Sequence, residues 1–286
     1  MTHRRIAAAA LLGLAWFTGP LRSQALPPDI AEERSAHTEW LASAANSPLA
    51  AVAQQPVGPG VTLGPPGADL PLEGVAEHRV TERNGMVTLK GPEGSRVIPP
   101  GRSLVLGACV LTSAGAAGRR VLTVYGKNRK AKTAEYYPYD RGLVFTGPLH
   151  PPTQPGRVRV LALDGIESDA TEAGTVVVPL GDRPVRLRVR RIPTGNEDEA
   201  ELEIFFRDDT NAAGTYPAGR FVSLIPLGAG RYRLDFNRAR NPFCAYSSAF
   251  PCPAPWRGNT IEAKVEAGER YLGGGLAAPP TVPESR

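Results

Sequence analysis

The sequence predicts a mainly β protein, a β-sandwich or partly open barrel preceded by a small β module and an N-terminal helix. Three observations carry this. The 286 residues hold 31 glycines and 29 prolines, which break the chain into many turns and short elements. Short runs of alternating apolar and polar residues recur between those turns, as in Val185-Arg186-Leu187-Arg188-Val189-Arg190. The helix that the pattern predicts lies at the N-terminal end, before the β runs begin.

Taken in order, Arg4 and Arg5 precede an apolar run from Ile6 to Phe17, and Ser23-Gln24-Ala25 follows as a small-residue cleavage site. This is the pattern of a signal peptide over residues 1–25. The run is shorter than the roughly 20 apolar residues a spanning helix needs, so no membrane span is expected once the signal is removed. Residues 26–73 read as a helical arm and a Pro/Gly-rich linker. Asp29-Ile30-Ala31-Glu32 resembles a capping pattern, and the helix is expected to reach about Ser43 with Ile30, Trp40, Leu41 and Ala44 facing inward. Residues 54–74 are expected to be loop with short extended pieces.

Residues 74–150 read as the small β module. Its strand candidates are Glu77 to Glu82, Gly85 to Lys90 after an Asn84-Gly85 turn, Ser103 to Thr112, and Arg120 to Tyr125. Residues 151–272 form the main β domain, with candidates beginning at Arg157, Thr175, Pro184, Glu199, Arg220, Arg231 and Ile261. Residues 273–286 read as a disordered tail. One hairpin is well specified. The arginines of Arg186 to Arg190 should meet Glu201 and Glu203 across a turn at Pro193-Thr194-Gly195-Asn196, giving a charge-neutralised solvent face.

Charge and motifs exclude several functions. The formal charge of +5 counts Arg4, Arg5 and Arg22 of the signal, so the mature chain carries +2. The basic run Lys127, Arg129, Lys130 and Lys132 beside Tyr136, Tyr137 and Tyr139 is therefore expected to be a solvated loop, and no nucleic-acid partner is expected. There is no Gly-x-Ser-x-Gly, His-Glu-x-x-His, Cys-x-x-Cys or P-loop pattern, so neither a metal nor a cofactor is expected. Cys244 and Cys252 are close enough in sequence to close a small loop, and an exported chain meets an oxidising compartment. A disulfide there would contribute about 2–3 kcal/mol. The competing reading is a reactive Cys244 with its thiolate favoured by Arg238 and Arg240. Cys109, in an apolar run, is expected to be a buried thiol.

Polar residues cluster late in the chain. Asp208, Tyr216 and Arg220 follow one strand candidate, and Asp235, Asn237 and Asn241 follow another. If neighbouring strands bring them together, Arg220 flanked by carboxylates and amides would orient a small polar or anionic ligand. The enzymatic alternative is a hydrolase or transferase with Asp208 or Asp235 as general base.

These stretches also carry a resemblance. Phe206-Arg207-Asp208-x-Thr210, Thr215-Tyr216-x-x-Gly219-Arg220, Leu234-Asp235-Phe236-Asn237-Arg238-Ala239, Asn241-Pro242-x-Cys244-Ala245, Cys252-Pro253 and Ala267-Gly268-Glu269 together resemble the bacterial and archaeal domain of unknown function numbered 1684. Glu33-Arg34 and Ser47-Pro48-Leu49 are similar to its N-terminal features. The resemblance implies a fold and candidate positions, and no reaction. The expected role is a binding or structural module of the cell envelope, exported to the periplasm or beyond.

Overall fold

The computed structural model describes residues 25–129, 132–194, 200–211, 213–254 and 256–273. The leader and the C-terminal tail expected from the sequence fall almost wholly outside these residues, as does part of the Pro193–Asn196 turn. The protein is mainly β, with one N-terminal α-helix.

Helix α1 (Pro28–Ser43) buries Ile30 and Leu41, with Trp40 and Ala44 half-buried. Its start differs from the capping pattern. Pro27 is the N-cap and Pro28 the first helical residue, with no side-chain cap. Proline lacks the N–H that would need capping and already holds a helical φ, so Asp29 is released to the first turn. The other end is closed from outside the helix. Arg129, from the basic run, donates to the carbonyls of Ser43 and Ala44, both at 2.8 Å, which satisfies the last orphan acceptors.

Nine strands follow in the first β unit. They are β1 (Ala51–Pro56), β2 (Val61–Gly64), β3 (Leu70–Pro71), β4 (His78–Arg83), β5 (Met86–Gly91), β6 (Gly94–Ile98), β7 (Ser103–Leu106), β8 (Cys109–Ala114) and β9 (Val121–Tyr125). A four-stranded sheet in the order β1-β9-β8-β7 and a five-stranded sheet in the order β3-β2-β4-β5-β6 share one core. It includes Leu63, Val80, Leu89, Ile98, Leu111 and Val124. Residues 54–74 thus supply the end of β1 and all of β2 and β3. The run expected as one strand, Ser103 to Thr112, is a hairpin broken at Gly107, whose φ of +57° suits a tight turn that β-branched neighbours would resist.

The larger unit is built from β10 (Val144–Pro148), β11 (Arg157–Leu161), β12 (Glu167–Val178), β13 (Val185–Pro193), β14 (Ala200–Asp208), β15 (Arg220–Gly228), β16 (Arg231–Asp235) and β17 (Thr260–Ile261). They make one eight-stranded sheet in the order β10-β16-β15-β14-β13-β12-β11, with β17 parallel to β14. Just beyond β10, His150 bridges back to Thr175 of β12. The sheet therefore curls upon itself without closing into a barrel. Its inner face holds Leu187, Val189, Ile204, Phe206, Val222, Leu224 and Phe236.

Two expectations change here. The β13–β14 hairpin forms, with Arg190 opposite Glu203. Its charged face is only partly in solvent, because Arg190 and Glu203 are buried. Trp256 covers that end of the sheet, lying over the Arg190 guanidinium at 4.4 Å and packing on Phe205 and Phe221. The strand expected from Ile261 to Ala267 shrinks to the two residues of β17. Beyond it Ala263 still accepts from the Asp209 amide, and the carbonyls of Val265 and Ala267 are then bound by the side chain of Arg220.

The two β units and α1 meet at a seam of apolar side chains. Leu41, Leu49, Tyr125, Tyr216, Cys244, Tyr246 and Phe250 pack together there. Cys244 and Cys252 form a disulfide beside it, with Cα atoms 5.5 Å apart, and Cys109 is a buried free thiol. No helix among the described residues is long and apolar enough to cross a membrane.

Candidate functional site

The polar residues singled out in the sequence form three separate knots. Arg220 is fully buried, as is the Asp208 side chain. The two pair at 2.8 Å, and Arg220 also donates to the carbonyls of Val265, Ala267 and, at 3.4 Å, Glu269. Its guanidinium stands over the Phe206 ring. Asp208 accepts in addition from the amide of Thr210 at 2.8 Å, the hydroxyl of Thr210 and the amide of Val265. Burial lowers the Arg220 pKa and Asp208 opposes that shift. This arrangement pins the C-terminal segment to β14 and β15. It is enclosed and, apart from the Arg220 Nε, which has no partner among the described residues, internally paired, so it offers neither an open cation nor a base to a ligand.

The second knot is Asp235 with Asn237. Asp235 caps a short 3₁₀ turn (Phe236–Arg238) by accepting from the amide and side chain of Asn237, at 3.0 and 2.9 Å. Asn237 then clamps Asp140, accepting from its amide at 2.9 Å and donating to its carbonyl at 2.8 Å. The third joins Asn241 to the C-terminal segment. The Asn241 amide donates to Glu269 at 2.7 Å, and its side chain donates to the Arg270 carbonyl. Tyr216 lies elsewhere, with its hydroxyl 3.2 Å from Cys252 Sγ and its pKa pushed up to about 12 by burial.

Beside these knots, α1 and the 237–241 turn enclose a cleft of about 40 Å³. Of the six expected residues only Asn237 lines it. Arg34, His37, Tyr136, Arg238 and Arg240 supply most of the rest. Arg34 donates to the carbonyls of Tyr137 and Asn237, lies 4.6 Å over the Tyr136 ring, and leaves its Nε buried without a partner among the described residues. Burial lowers its pKa and raises that of Tyr136. Arg238 is neutralised by Asp29, Glu33 and Asp235. Arg240 is different. Among the described residues its side chain makes no hydrogen bond and no ion pair, and its charge is felt at a distance by His37, Glu203 and Glu269.

His37 is held neutral, its pKa pushed down to about 4 by burial and by Arg240. Glu203 and Glu269 are pushed up to about 7, again chiefly by burial. The sequence did contain a signal for this site. Ile30, Arg34, His37 and Leu41 follow i, i+4, i+7, i+11 spacing, so an arginine and a histidine interrupt the inward apolar stripe of α1. Among the described residues no group of His, Cys, Asp and Glu is placed to hold a metal ion. A broader groove of about 750 Å³ lies beside β11, but its Arg119 is paired with Glu167 and Asp169.

A family model described as Protein of unknown function (DUF1684) matches residues 130–270. The solution NMR structure of an uncharacterized protein from gene locus rrnAC0354 of Haloarcula marismortui is 30% identical, with 49% of this chain and 77% of that chain covered and a TM-score of 0.42. This chain belongs to the DUF1684 family. No protein of curated function matches it. Within this DUF1684 member, the matched region contains all three knots, Arg240 and Glu269, whereas α1 with Arg34 and His37 precedes it. The cleft is thus formed where the family region meets the N-terminal arm.

Proposed function

We propose that this protein is a binding module of the cell envelope, working outside the cytoplasm, that takes a small anionic group in the cleft at Arg240. The observation that carries the reading is Arg240 itself, a half-buried guanidinium with five donors and no partner among the described residues. Buried or half-buried arginines are normally matched by a carboxylate, a phosphate or several carbonyls. The cleft admits only a few water-sized groups, so the group that enters would be a carboxylate or similar oxyanion, free or at the end of a larger molecule. Arg34 across the cleft adds positive charge, neutral His37 adds a polar contact, and Glu33, the carboxylate that also lines the cleft, is engaged by Arg238. Export is supported by the leader-like N-terminus and by the Cys244–Cys252 disulfide, which persists in oxidising compartments.

The test is a titration of the 15N-labelled chain with sodium acetate at pH 6 and constant ionic strength. Saturable amide shifts are expected at His37, Tyr136 and residues 237–241, and Arg240→Ala should abolish them while leaving the rest of the spectrum in place. Non-saturating shifts, or shifts that survive Arg240→Ala, would sink the reading. For the compartment, protein recovered without reductant and then denatured should titrate one thiol, from Cys109. Three thiols would remove the disulfide and its support for export.

A further inference from the structure

Glu269 brackets Arg240. Its backbone amide donates to the Ala239 carbonyl at 2.8 Å, and its carboxylate accepts from the Asn241 amide at 2.7 Å. The residue between those two attachments is Arg240, so the buried carboxylate lies beside the backbone of this cleft-lining residue. A second buried acid approaches from the sheet. Arg240 bridges Phe221 of β15, Phe221 is paired with Phe205 of β14, and Glu203 lies two residues before Phe205 on the same face of β14. Neither Glu203 nor Glu269 has a side-chain ion pair within 4 Å among the described residues. Resting on the anion cleft described above, we propose that Glu203 and Glu269 form a proton-operated gate behind Arg240, so that the cleft takes up its anion together with protons and releases it as they leave.

The chemistry is an exchange of counter-charges. With both carboxyls protonated, Arg240 has no compensating charge behind it and attracts an anion from the cleft. Once either ionises, it serves as the internal counter-ion and also repels the incoming anion. Burial places both acids near pH 7, where modest acidification switches them.

The other charges around the gate do not undo it. On α1, His37 is uncharged above about pH 4. Arg238 in the same turn as Arg240 is occupied by Asp29, Glu33 and Asp235. From β15, Arg220 faces Glu269 but is bound to Asp208. Tyr136, from the segment against Glu269, stays neutral because burial raises its pKa further. Around Glu203, Glu201 on the same strand and Asp164 in the turn before β12 both push toward protonation, and Arg190 stands opposite on β13.

The experiment is the acetate titration repeated on the full chain at pH 6.0, 7.0, 8.0 and 8.5, where acetate itself stays ionised. In the wild type the dissociation constant should rise about tenfold across this range. Glu269→Gln should bind at pH 8.5 nearly as tightly as the wild type does at pH 6, with a flattened profile, and Glu203→Gln should flatten it in part. Both variants are first checked for native circular dichroism. Saturable binding with no pH dependence in the wild type, or a wild-type slope in both variants, overturns the gate and leaves the anion cleft standing. Absence of saturable binding at every pH overturns both.

Discussion

Arg220→Met should destabilise the fold by about 3–5 kcal/mol in chemical denaturation at neutral pH. The methionine fills much of the volume, so the loss is electrostatic and not a cavity effect. It leaves the Asp208 carboxylate buried with no cation, and it leaves the carbonyls of Val265 and Ala267 without their donor. Each buried unpaired group costs about 1–3 kcal/mol, and more when charged. Against a typical total of about 5–15 kcal/mol, such a loss brings the domain close to unfolding.

Arg220→Lys is expected to recover less than half of this. One ammonium reaches Asp208 but cannot span three carbonyls in the fixed fork of a guanidinium. Adding Asp208→Asn to Arg220→Met should recover part of the loss, because the uncompensated charge is then gone. A loss below about 1 kcal/mol in Arg220→Met would show that solvent or a neighbour replaces the guanidinium, and that the knot is not structural.

That result bears on how an arginine spent inside the fold comes to read, in sequence, as one offered to a ligand. An arginine amid Asp, Tyr and Asn looks the same in one dimension whether it is spent inside the fold or offered outside. Arg220, Asp208, Asp235, Asn237 and Asn241 were legible as a polar cluster, which the structure divides among three knots. Their partners were not legible, because the decisive acceptors are backbone carbonyls of Val265, Ala267 and Arg270, which carry no side-chain signature. Arg240, whose side chain has no partner among the described residues, shows in the sequence only as a charge near Cys244.

The fold itself was more readable where burial is one-sided. Alternation located most of β13, β14 and β15 within a residue or two, since a one-residue slip would move every apolar side chain to the wrong face. It failed where the period is hidden. The first half of β12, Glu167 to Gly174, reads as a polar loop because much of it is only half-buried, and a register shift between Glu172 and Gly174 breaks the pattern further. β10 was missed because its last residues, Gly147 and Pro148, look like a turn. Pro148 is tolerated at the strand's end, where no following ladder hydrogen bond depends on its missing N–H.

The second large effect expected is a crossover in pH-dependent stability between the wild type and Glu269→Gln. In the folded protein Glu269 titrates near 7, above its ordinary value of 4.5, so its protonated form is favoured by folding. Its contribution is complete below about pH 4.5 and is lost as the pH rises through 7. The displacement corresponds to about 3 kcal/mol. Glu203, displaced in the same direction, adds to the loss on the alkaline side. His37 acts from the acid side. Its folded pKa near 4 lies below the ordinary 6.5, so its contribution is present above 6.5 and is lost as the pH falls through 4. The wild type should therefore be most stable between about pH 4.5 and 6.5, where neither loss is complete. Glutamine at 269 cannot ionise, yet it still offers an oxygen to the Asn241 amide. Glu269→Gln should then match or fall slightly below the wild type at pH 5 and exceed it by about 1–3 kcal/mol at pH 8.5. Urea midpoints measured at both pH values decide the matter. An equal destabilisation at pH 5 and pH 8.5 would mean that Glu269 is already ionised inside the fold, and that Arg240 is its permanent counter-ion and not a free cation waiting in the cleft.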